Sequence, residues 1–205
     1  MSFKLGILAS GNGTDLDAIY KEMDAGKMPG IEIAAVLSDR ESAPALEKAR
    51  ARGLRAEWVN PKLPDGTPKN REDYDRELAE RLGPVDLVCL VGYMRILSPA
   101  FIGIYHPRHI INVHPSLLPK YGGHGWYGMK VHEAVIASGD KESGMTIHYV
   151  DYGVDSGPMV LQKKVPVLEG DTPETLRARV LEAEKEAYPE AVRLIYQERI
   201  GTLAA

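Results

Sequence analysis

Lys4-Leu5-Gly6-Ile7-Leu8-Ala9-Ser10-Gly11-Asn12-Gly13-Thr14-Asp15 decides the architecture: an apolar run, a glycine-rich turn, then the helical periodicity of Leu16–Met23. A strand that enters a helix through glycines opens a βα unit. The glycines let the backbone turn tightly, and free amides at a helix N-terminus favour an anion such as phosphate. A strand–helix turn also needs glycine for steric reasons alone. Gly11 and Gly13 match the first two glycines of a dinucleotide fingerprint, with Asp39 after the second strand as the acid. Leu16 fills the third small-residue position, however, and a Gly-Lys-Ser/Thr ending is missing, so one phosphate fits better than two. A carboxylate at Asp15 suits the helix dipole but would repel phosphate. Its side chain is therefore expected to turn away while its amide binds.

Outward from this turn, Lys4–Ala9, Ile31–Ser38, Leu87–Val91 and Ile110–Val113 read as short apolar strands. Leu16–Met23, Ala45–Arg52 and Arg71–Leu82 carry helical spacing, and Ser98-Pro99 is a helix start. Thr146–Val150 and Met159–Val167 are later strands, the second at an edge. Asn60–Asn70 is a surface loop. Asp171-Thr172-Pro173-Glu174 opens a long helix with Leu176, Val180, Ala183, Ala187, Ala191 and Leu194 as its buried stripe. Pro189 should kink or split it. The expected fold is α/β: a Rossmann-like, open, mostly parallel sheet with helices on both faces, in one domain over residues 1–205.

The 205 residues suffice for a core without staples. Lys and Arg are scattered and the net charge is −4, which opposes nucleic acid as a main partner. The single cysteine, Cys89, lies in the run Leu87-Val88-Cys89-Leu90-Val91 and reads as a buried strand residue. A membrane helix needs ~20 apolar residues, and the sequence has no such run or signal segment. A cytoplasmic protein is expected.

Ile110-Ile111-Asn112-Val113-His114-Pro115 puts two polar residues on one face of an apolar strand. Burying either without a partner would cost ~1–3 kcal/mol, so each is satisfied by neighbouring loops or is functional. Pro115 ends the strand where ligands sit in open α/β sheets. Asp151 and Asp155 follow the next strand, and either could approach His114. A carboxylate there would favour imidazolium near neutral pH.

Ser10-Gly11-Asn12-Gly13, Gly92-Tyr93-Met94-Arg95-Ile96-Leu97 and Asn112-Val113-His114-Pro115-Ser116-Leu117-Leu118-Pro119 together resemble the glycinamide ribonucleotide formyltransferase family, in order from Lys4 to about Gln197. The resemblance implies the formyltransferase fold, with a phosphate- and ribose-binding half at about 1–100 and a folate and catalytic half at about 101–205. It implies transfer of formyl from 10-formyltetrahydrofolate, a co-substrate, to the amine of glycinamide ribonucleotide in purine biosynthesis, without a metal. Residues matching Asn112 and His114 stabilise the tetrahedral oxyanion, and that matching Asp155 raises the histidine pKa. Gly11, Asn12, Gly13, Thr14 and Asp15 would hold the phosphate, and Glu184 the ribose hydroxyls. Arg71, Leu90, Met94, Arg95, Ile96, Leu97, Asn112, Val150 and Asp151 would bind the folate. Glu184 also stands out unaided, four residues from both Val180 and Tyr188 on an apolar stripe, although a rim acid can snorkel.

The family commonly has Ser-Asn where this chain has Thr14-Asp15. The stretch Tyr121-Gly122-Gly123-His124-Gly125-Trp126-Tyr127-Gly128 is longer than in many members and reads as a flap or as a connection to the next helix. Rival readings are a formyltetrahydrofolate hydrolase, a formyltransferase for another amine, and a silent binding module. A monomer or a homodimer is equally compatible.

Overall fold

The computed structural model describes residues 2–105 and 107–203. β1 (Phe3–Ala9), β2 (Ile31–Ser38), β3 (Ala56–Trp58), β4 (Leu87–Val91), β5 (Ile110–His114), β6 (Glu142–Tyr149) and β7 (Met159–Pro166) form one sheet in the order β3-β2-β1-β4-β5-β6-β7. The first five pair in parallel, and β6 and β7 add on antiparallel, with β7 at the expected edge. β1 lies between β2 and β4, so the strand order reverses there. A crevice opens outside the carboxyl ends at such a reversal.

Strand residues alternate between two apolar cores. Leu87, Cys89 and Val91 of β4 join the one covered by α1 (Thr14–Asp24), α2 (Pro44–Ala51), α5 (Met129–Ser138) and α6 (Pro173–Leu203). Val88 and Leu90 join the one under α3 (Arg71–Leu82) and α4 (Pro99–Tyr105). Burial on both faces explains why these strands read as continuous apolar runs.

α6 continues unsplit through Pro189, which is itself buried. Its buried face is Leu176, Val180, Ala187, Tyr188, Ala191, Val192 and Ile195, whereas Leu194, expected in the stripe, is exposed. A straight helix repeats nearer to 3.6 than to 3.5 residues, so by the last turns the inward position is Ile195. β3 was absent from the sequence reading: three residues carry too little periodicity. β6 begins four residues before Thr146, at Glu142, because Gly144 permits a close approach. A Cβ there would lie 2.1 Å from the Lys163 carbonyl oxygen.

Candidate active site

A cleft of about 790 Å³ lies at the strand-order reversal. It is bordered by the turn after β1, the loop after β4, the end of β5, the loop after β6 and the first turns of α6. Such a volume suits small-molecule ligands.

Gly13 caps α1 at φ 67°, a conformation that favours glycine, and an added Cβ would lie 3.0 Å from that of Ala45. Gly11, Asn12, Gly13, Thr14 and Asp15 all line the cleft. Lys48 donates to the Asn12 carbonyl at 2.7 Å, which holds the turn to α2. Ser10 does the same for the far wall: its hydroxyl donates to Asp39 at 2.6 Å and accepts from the Met94 amide at 2.9 Å. Asp39 thus has a structural partner and does not line the cleft.

Asp15 is buried, and its Oδ1 has no hydrogen-bond partner. Its side chain is buried where the charge of Lys185 on α6 reaches it, and its own charge reaches Glu184 and Tyr188 on the same helix. Burial pushes the Asp15 pKa up to about 6. Glu184 also lines the cleft, and burial, with the Asp15 charge added, pushes it up to about 8.

The polar residues of β5 meet β6 in antiparallel register, with Asn112 opposite His148. Asn112 Nδ2 lies 3.5 Å from His148 Nε2. His114 is buried, with Nδ1 3.4 Å from Asp155 Oδ2 and Nε2 2.7 Å from the Tyr121 carbonyl oxygen. Each ring nitrogen therefore faces an acceptor, which gives both protons of an imidazolium a place. Burial opposes that charge, and the His114 pKa lies below the ordinary imidazole value despite Asp155. The Asp155 carboxylate raises it, as expected, but desolvation outweighs the carboxylate in the unliganded site.

Asp155 reaches the histidine from a backbone at φ 54° and accepts from the Gly123 amide at 3.0 Å, while His148 Nε2 stands 3.6 Å from its Oδ1. Hydrogen bonding and the two imidazoles hold the Asp155 pKa below the usual carboxylate range although burial raises it. Asp151 is occupied within its own loop, accepting from the Ser156 hydroxyl at 2.7 Å and the Gly153 amide at 3.0 Å.

Leu90, Met94, Arg95, Ile96, Leu97 and Val150 line the same cleft. Arg95 also stacks over the Tyr74 ring at 4.5 Å. Asp151 and Arg71 are outside the lining, and Arg71 is exposed at the start of α3. The glycine-rich stretch borders the cleft as well as leading to α5, with Trp126 packed edge-on against Tyr121 at 5.4 Å. Sequence reasoning missed His148 as a partner of Asn112 and Asp155, along with the buried His132 and the cation Arg177 in the lining. Only the β5–β6 register exposes His148; Arg177 had a signal, seven residues and two turns before Glu184.

The formyl transferase family matches residues 3–192. Phosphoribosylglycinamide formyltransferase of Escherichia coli (strain K12) is 40% identical over 89% of this chain and 82% of its own length. The chloroplastic enzyme of that name from Vigna unguiculata is also 40% identical, over 96% of this chain, which spans 62% of that relative. Among solved structures, glycinamide ribonucleotide transformylase 1 from Symbiobacterium toebii superposes with a TM-score of 0.85 at 42% identity, covering 97% of this chain and 89% of that one. The site geometry and these relatives lead to one conclusion: the chain belongs to the formyl transferase family.

Proposed function

We propose that this chain transfers the formyl group of 10-formyltetrahydrofolate to the amine of glycinamide ribonucleotide, a step of de novo purine biosynthesis. The observation that carries the reading is the joining of Asn112, His114 and Asp155 at one end of a cleft whose other end is a glycine-rich helix start. In the proposed reaction the amine nitrogen bonds to the formyl carbon, and the C=O electron pair moves onto oxygen. Asn112 Nδ2–H and His114 Nε2–H stabilise that oxyanion; one such donor is worth about 3–4 kcal/mol. Nε2–H must then turn from the Tyr121 carbonyl to the ligand. Asp155 balances the imidazolium that the oxyanion induces. Collapse breaks the bond to N10 of the folate, which gains a proton as the amine loses one. Backbone amides of Gly11–Asp15 hold the phosphate, Glu184 meets the ribose hydroxyls, and Leu90, Met94–Leu97 and Val150 hold the pterin. The 1–100 and 101–205 halves thus share one cleft in a single domain. The buried, unpaired thiol of Cys89 suits a cytoplasmic setting.

A spectroscopic assay with 10-formyltetrahydrofolate, with and without glycinamide ribonucleotide, tests the reading. Turnover that requires the ribonucleotide and yields formylated product is expected. Formate release without it would establish a hydrolase instead, and inactivity with it alone would point to another amine.

A further inference from the structure

Asp15 does something that the phosphate reading leaves unexplained. It occupies the first turn of α1, beside the amides proposed to hold phosphate, yet it is 4% exposed and its Oδ1 is buried without a partner. Both Asp15 and Glu184 line the same cleft. The charged groups felt by the pair are Asp17 from α1 and Lys185 and Arg177 from α6, and Tyr188 of α6 feels Asp15 in turn. Lys185 is partly exposed and bound to Glu182 at 2.6 Å, and Lys48 of α2 is engaged by Asp17 and the Asn12 carbonyl. These cations leave Asp15 Oδ1 without a hydrogen bond.

A phosphate dianion beside ionised Asp15, which is buried, and ionised Glu184, which is half-buried, would set like charges together where screening is weak. A single proton on the pair removes one of those charges and gives the carboxyl an O–H to donate. We infer that Asp15 is a proton-holding part of the substrate site: a phosphate monoester binds at the N-terminus of α1 as the Asp15–Glu184 pair draws a proton from solvent. The inference rests on the proposed ribonucleotide substrate and adds a specificity role for the residue that departs from the family pattern. The sign follows from linkage. Ligand binding favours the singly protonated pair, so affinity is full below the pair's higher free pKa, about 8, and falls as pH rises through it. The limiting slope is about tenfold per pH unit for one proton. Above pH ~7 the phosphate, with a second pKa of ~6, is already dianionic and adds no slope of its own.

The test is calorimetry with glycinamide ribonucleotide in buffers of different ionisation enthalpy, from pH 7 to 9, on the wild type, Asp15→Asn and Glu184→Gln. The wild type is expected to take up a proton on binding. Asp15→Asn should take up less, show a flatter dependence of Kd on pH, and bind more tightly than wild type at pH 8.5, by up to about tenfold. An Asp15→Asn protein with the wild-type uptake and slope overturns the inference, as does uptake lost only in Glu184→Gln. A wild type that binds no ribonucleotide overturns the substrate reading, and this inference with it.

Discussion

The two ends of the cleft hold their carboxylates in opposite ways. Asp155 is saturated, with the Gly123 amide and the rings of His114 and His148 around it, and its pKa is held down. Asp15 Oδ1 is buried without such a donor and Glu184 is half-buried beside it in the lining, and their pKa values are pushed up to about 6 and about 8. One end is a finished hydrogen-bond network that can only be disturbed. The other has acceptors with nothing to accept from, and a ligand completes it. Unequal environments therefore divide ionised from protonated acids within a single cavity, the arrangement from which acid and base roles arise.

His114→Ala tests that contrast most severely. Turnover should fall about 10²–10⁴-fold, while calorimetric affinity for the ribonucleotide stays near wild type; near-normal turnover would remove the oxyanion role. Asp155→Asn comes next, with kcat falling about 10²-fold. It also removes the charge that raises the His114 pKa, so the alkaline limb of the kcat profile, where the imidazolium is lost, should move to lower pH. An unmoved limb would mean that the carboxylate does not govern the ring. Gly13→Val strains a φ of 67° and crowds Ala45. A cost of about 1–3 kcal/mol is expected, seen as a rise in ribonucleotide KM together with a lower Tm, with little change in folate KM. The smallest effect belongs to Arg71→Ala, where folate KM should change by about threefold or less, as for an exposed charge contact. A larger change would bring that helix start into the cleft.

The pattern of apolar runs made most of the sheet legible because its central strands are covered on both faces. Asn112 and His114 were equally legible, since polar residues two apart in such a run must share a face. Asp155 could not be separated from Asp151 by sequence alone. The choice depends on a loop in which Asp151 caps its own turn and Asp155 takes a positive φ. The Asp15 side chain is buried, and the docking of α6 onto α1 decides what such a carboxylate meets, which the local sequence does not show. For His114 a neighbouring acid that raises its pKa is legible, but the depth of burial that opposes it is not.

Asp15 and Glu184 come from opposite ends of the chain, on the helices α1 and α6. The Asn112, His114 and Asp155 group instead comes from β5 and the loop after β6, held by Tyr121 and Gly123 of the loop after β5. α6 also supplies Leu176, Val180, Tyr188 and Ile195 to the core, so the event that completes the binding wall also seals that core from water. The docking of α6 thereby couples the Asp15–Glu184 wall of the cleft to the integrity of the core.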